Sequence, residues 1–248
     1  MSQTLSKLTP DSTLERIISV DRDAAQLLAS IGLDISTNQD KTLREVCAQK
    51  QWSEIEVIQW IHKNHYLKHL GKDQSEPKEK TIDQKNIADQ CDDLENNYHA
   101  YFREVLSNLT ENFPRVCNIH GNQYPWLKQL QWHFDRFEDD LSFYLKFEQA
   151  KLFPLVRQLH KQGLYDVKDG LARSLERSVE ILYEDHQKLN HQMEKLEEIG
   201  RGFELPEGSC ATFHMLFKDL EKLIAKVRVY FKVEKKSVVP CVQNKLRS

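Results

Sequence analysis

The sequence predicts an all-α protein in two parts. A small N-terminal helical domain covers residues 1–69, a linker covers 70–81, and an antiparallel four-helix bundle covers 82–248. Three observations predict this. Apolar residues recur three and four apart through most of the 248 residues, the signature of helices with one buried face. Only 8 Gly and 7 Pro are present, too few for the many turns of a strand-rich fold. Four long amphipathic stretches in the second part are separated by short breaks, which makes consecutive helices antiparallel neighbours.

The small domain opens at Leu14, where Leu14, Ile17, Ile18, Ala24, Ala25, Leu27, Leu28 and Ile31 follow helical spacing and Gly32 supplies a stop. Residues 34–40 read as a polar loop, and Thr42 to Gln49 as a short helix. Ser53 with Glu56 forms a capping box, and Trp52 and Val57 are placed as a hydrophobic staple for a helix reaching about His65. A unit of this size is marginal by itself. Residues 71–80 contain no apolar side chain and carry Pro77, the composition of a linker.

Thr81 with Gln84 signals the next helix start. That helix carries Leu94, Tyr98, Phe102, Val105, Leu106 and Leu109, and is expected to end before Pro114. The second bundle helix begins at Pro125 and carries Leu127, Leu130, Phe134, Phe137, Leu141, Tyr144, Leu145 and Glu148. A short segment from Pro154 to Lys161, closed by Gly163, follows it. The third runs from about Leu171 to Ile199, closed by Gly200 and Gly202, and the fourth from about Ser209 to about Val233.

Composition excludes several functions. With a net charge of -3 and no basic block, the chain lacks a nucleic-acid footprint. No apolar run is long enough to span a bilayer, and the first residues lack the apolar centre of a signal peptide. Five scattered cysteines without a C-x-x-C read as reduced thiols of a cytoplasmic protein.

One pattern is written twice. Tyr144, Glu148 and Pro154 have the same spacing as Tyr230, Glu234 and Pro240. Residues four apart share a helix face, so each copy aims a phenol and a carboxylate at one point, and the Pro is expected to end the helix soon after. His99 on the first bundle helix and His186 on the third lie at comparable depth. Helical bundles hold metal ions through inward carboxylates and histidines, and this nitrogen and oxygen set suits iron or manganese. The plain alternative is core tyrosines and incidental histidines. His62, His65, His69, His120, His133, His160, His191 and His214 are read in that plain way.

These residues resemble the fingerprint of the hemerythrin-like di-iron proteins that repair iron–sulfur clusters, the repair-of-iron-centres family. That fingerprint has a His on the first helix, His-x-x-x-Glu followed by Phe-Pro on the second, Glu-His on the third and His-x-x-x-Glu followed by Phe-Pro on the fourth. His99 fits the first position, Glu148 with Leu152-Phe153-Pro154 the second, Asp185-His186 the third and Glu234 with Val238-Val239-Pro240 the fourth. The run from His186 through Cys210 to Glu234 keeps the family spacing, and Leu33-Asp34-Ile35 and Lys41-Thr42-Leu43 match the small domain. The resemblance implies non-haem iron held by His99, Tyr144, Glu148, His186, Tyr230 and Glu234. It further implies damaged iron–sulfur proteins as partners, a role in nitrosative and oxidative stress, and a homodimer as one arrangement.

The departures are specific. Tyr144 and Tyr230 stand where the family has its His-x-x-x-Glu histidines, and Ser36-Thr37 where it has a Cys-Cys pair. Phenolates in place of neutral imidazoles make a bound iron pair more negative, which favours the ferric state and opposes release of ferrous iron. The other readings are a metal-free or altered-metal helical protein that binds a partner, and a non-haem iron sensor of oxygen or nitric oxide. Ser36 and Thr37 lack a thiolate for redox work. They are expected in a loop or at a helix start, where one of them caps the next helix.

Overall fold

The structure, a computed structural model, describes residues 8–70, 87–162 and 169–247, and among these it has eight α-helices and no strand. The first four are α1 Leu14–Val20, α2 Arg22–Ser30, α3 Leu43–Gln49 and α4 Glu54–Leu70. α5 spans 87–120, as Ile87–Asp93, a π-helical turn Leu94–His99 and Ala100–His120. α6 spans 126–162, as Trp126–Phe147, a second π turn Glu148–Leu152 and Phe153–Gln162. α7 is Asp169–Ile199 and α8 is Ala211–Arg247. Apart from Leu70, which ends α4, the expected linker at 70–81 lies outside the described residues, as do the Thr81 start signal and Gly163.

Local chemistry sets the small helices. Thr42 and Glu45 make the reciprocal capping box that starts α3, and Ser53 Oγ accepts from Glu56 N–H at 3.4 Å in the first turn of α4. Gly32 closes α2 with φ +82°, a backbone conformation that favours glycine. α4 continues past the expected stop near His65 to Leu70.

Cross-helix pairs establish the topology of α5 to α8. Phe113 stacks on Phe134, and the Cys117 thiol donates to the Leu127 carbonyl, so α5 and α6 run antiparallel. Tyr144 meets His186 while Asp140 meets Lys188 and Gln192, which sets α7 antiparallel to α6. His186 meets Glu234 while Glu197 meets Arg228, and His99 meets Tyr230 while His120 meets Phe213. The four helices therefore form a closed up-and-down bundle. Phe102, Phe113, Phe134, Phe137, Phe153, Phe213 and Phe217 are fully buried in it. Truncating one such ring to Ala costs about 3–5 kcal/mol.

Three expected helix ends are corrected. Pro114 and Pro240 lie inside α5 and α8, and Pro154 lies in the second position after a π turn in an unbroken α6. A mid-helix proline costs about 3 kcal/mol or more. Around Pro114 the buried Phe113 and Val116 hold the helix in register. Ahead of Pro154 the π turn widens the helix, with Phe153 N–H donating to the Glu148 carbonyl.

A second apolar cluster joins Leu14, Leu28, Leu43, Trp52, Val57 and Ile61 to Ala211 and Met215 of α8. Polar ties cross the same junction. The Trp60 indole donates to both carboxylate oxygens of Asp219 at 3.1 Å and Trp52 donates to the Ser209 carbonyl, while within the bundle Asn108 of α5 donates to Asp219 Oδ2 at 3.2 Å.

Burial pushes the Asp219 carboxyl up to about 6, against the opposing pull of Lys222 and its hydrogen bonds. The folded chain therefore binds this proton more tightly than the unfolded chain. The group's contribution to stability is complete below about pH 4 and is lost as pH rises through about 6, an effect of about 2–3 kcal/mol. Urea unfolding across that range is expected to show the wild type losing this much relative to Asp219→Asn. A flat difference between the two proteins would contradict it.

Candidate metal centre

All six residues singled out in the sequence meet in the bundle core. His99 ends the π turn of α5 and Glu148 begins that of α6, so both local widenings fall at the centre. The six side chains are 0–1% exposed. They form two triangles. In one, Tyr230 donates to Glu148 Oε2 at 2.6 Å, and His99 Nε2 lies 2.8 Å from the same phenol oxygen and 3.1 Å from the same carboxylate oxygen. In the other, Tyr144 donates to Glu234 Oε2 at 2.5 Å, and His186 Nε2 lies 2.9 Å from the phenol and 3.1 Å from the carboxylate. A bond of 3.1 Å from Tyr144 to Glu148 Oε1 joins the triangles.

Aromatic rings seal this polar island. Phe231 stacks on His186 at 3.9 Å and Phe153 on His99 at 5.6 Å, while Tyr98 and Phe102 cover Tyr230. Burial raises both phenols well above their ordinary pKa, reinforced by the two carboxylates. Burial also lowers His99 to about 4, so it is neutral near pH 7. Glu148 is pushed well above the carboxylate range by burial and by Glu234. Burial raises Glu234 too, but hydrogen bonds from Glu148, His186 and Tyr144 outweigh it and hold it low. The two buried carboxylates thus hold one proton between them.

The donor set suits a metal. Each triangle presents one imidazole nitrogen, one phenol oxygen and one carboxylate oxygen, with edges of 2.5–3.1 Å. A face of an octahedral coordination shell with bonds of about 2.1 Å has edges of roughly 3 Å. Glu234 Oε1 is buried with no hydrogen-bond partner, a vacant acceptor at the same place.

Ser36 and Thr37 lie in a loop, as expected, but neither caps the following helix; Thr42 does. Their hydroxyls and amides instead surround Asp34, whose carboxyl is lowered to about 2, chiefly by the side chains of Thr37 and then Ser36. Changing Ser36 and Thr37 to Ala is expected to return Asp34 to its ordinary range in an NMR titration and to leave metal content unchanged. A fall in metal content would contradict that. Cys47 and Cys117 are buried free thiols, Cys210 is a half-buried one and Cys91 is buried; the side chain of Cys241 is outside the described set. Sequence reading missed Asp219, although its place three residues after Leu216 and four before Leu223 puts it on the apolar face.

Fold and centre together define an antiparallel four-helix bundle with a buried histidine, tyrosine and glutamate core. No protein-family model matches the chain. The chain is 22% identical over 218 residues to the iron-sulfur cluster repair protein ScdA of Staphylococcus haemolyticus, covering 87% of this chain and 90% of that protein. It is 21% identical over 226 residues to the iron-sulfur cluster repair protein YtfE of Escherichia coli O157:H7, covering 91% and 93%. This similarity over most of the chain supports the repair-of-iron-centres family. Among the described residues no helix is long and apolar enough to cross a membrane.

Proposed function

We propose that the chain is a divergent iron–sulfur cluster repair protein of the hemerythrin-like di-iron type, holding non-haem iron in the bundle core. The observation that carries this reading is the pair of equivalent buried triangles, in a chain similar to named repair proteins. His99, Tyr230 and Glu148 would hold one ion, and His186, Tyr144 and Glu234 the other. Bound there, iron supplies a redox-active Lewis acid. The protein's own residues exclude water, keep the His99 imidazole neutral, and store on the carboxylate pair and the phenols the protons that a cation would replace. Damaged iron–sulfur proteins are the targets, nitrosative and oxidative stress the occasion, and the cytoplasm the setting. Residues 1–69 form the small domain, 70–81 its linker and 82–248 the bundle, with the small domain packed on α8.

A second reading draws on the closed hydrogen bonding of the core. Both phenols have partners at 2.5–3.1 Å with no ion bound, although His99 Nδ1, His186 Nδ1 and Glu234 Oε1 have none. In that reading the chain is a metal-free helical binding protein. Metal analysis of protein purified from iron-supplemented cells separates the two. The first expects about two iron ions per chain and recovery of activity in a nitric-oxide-damaged cluster enzyme. Iron-free protein that restores nothing would leave the second.

A further inference from the structure

A second group of metal-type ligands lies among the small helices, away from the bundle core. Asp21 sits between α1 and α2, Asp23 is in the first turn of α2, and His65 is on α4. One ligand atom from each lies within 4.8 Å of the other two. Asp21 divides its work: Oδ1 caps α2 by accepting from Ala24 N–H at 2.9 Å, and Oδ2 faces His65.

His65 is the second observation. Its residue is 8% exposed, and its Nε2 is 3.1 Å from Asp21 Oδ2. Despite that approach the nitrogen makes no hydrogen bond, because the alignment is wrong for one. Protonated, this nitrogen pairs with Asp21 by charge alone; neutral, it turns a lone pair without a hydrogen bond toward two carboxylates, the arrangement a cation satisfies. Lys68 already marks where positive charge belongs, with its ammonium 2.6 Å from Asp23 Oδ2. Asp23 and His65 also line a cavity of about 340 Å³ reaching Tyr101 and Asp219, which gives additional ligands or water room to enter.

We propose that Asp21, Asp23 and His65 form a binding site for a divalent first-row transition ion of the zinc class. Two carboxylate oxygens and one imidazole nitrogen suit such an ion, and open positions face the cavity. The ion displaces the Lys68 ammonium from Asp23. This site shares no residue with the core and stands whether or not the core holds iron.

The test is calorimetric titration of the full chain with zinc chloride, comparing wild type with His65→Gln, Asp23→Asn and Lys68→Met. His65→Gln and Asp23→Asn are each expected to weaken one binding event at least on the order of 10–100-fold, the range produced even by loss of an outer-shell partner. Lys68→Met removes the competing ammonium and is expected to tighten the same event. Asp23→Asn serves if His65→Gln fails to fold, and Lys68 is half-exposed or more, so its replacement leaves the core intact. Zinc binding that is unchanged in all folded variants, or weakened by Lys68→Met, overturns the site.

Discussion

Replacing Tyr144 and Tyr230 together by Phe is expected to remove the visible absorption of iron-loaded protein. Ferric phenolate gives an intense charge-transfer band, and imidazole and carboxylate ligands do not. The rings survive in the variant, so the packing against Phe231 and Phe102 persists while both oxygens disappear. Iron affinity should fall on the order of 100-fold or more, beyond the 10–100-fold of an outer-shell loss. Spectroscopy and metal analysis of the same samples read this out. In metal-free protein the same change strands the carboxylates and imidazoles that the phenols serve, at about 1–3 kcal/mol for each group left without a partner. A colourless, iron-free wild type that loses only stability on Tyr→Phe would remove the iron reading.

Glu148→Ala is the second large effect. Glu148 accepts from Tyr230 and lies 3.1 Å from both Tyr144 Oη and His99 Nε2, so its removal touches both triangles at once. We expect a loss of about 2–5 kcal/mol in denaturant unfolding, from buried polar groups left unpaired at about 1–3 kcal/mol each and the cavity that opens, together with loss of metal binding. Asp139→Ala, an exposed change on the same helix, is expected to stay within about 0.5 kcal/mol. Equal effects of the two substitutions would mean that the network carries no energy.

Much of this architecture is legible before folding. The 3.6-residue recurrence in Leu127, Leu130, Phe134, Phe137 and Leu141 is strong because a whole helix face must be buried. The repeated Tyr, Glu, Pro spacing likewise points to convergence, and the structure brings the six side chains together. Other features depend on tertiary neighbours. Pro114, Pro154 and Pro240 look like stops from local rules, yet packing on either side carries the helices through. The i, i+4 relation suggests that Tyr144 serves its own Glu148, but its shortest bond goes to Glu234 across the bundle. His65 looks incidental in sequence, because only the fold of α1 and α2 brings Asp21 and Asp23 to it.

The crossing of the triangles also bears on how the chain assembles. The α5–α6 hairpin supplies the histidine and carboxylate of one triangle, and the α7–α8 hairpin those of the other. Each hairpin lends its phenol to the opposite one. Neither hairpin can therefore complete a triangle alone. Until the two dock in register, the shortest hydrogen bonds of both phenols are unmade in an otherwise apolar surface. The polar centre thus acts as a checkpoint on assembly: a slip of one helical turn between α6 and α8 sets carboxylate against carboxylate or phenol against phenol, and only the native docking closes both triangles together.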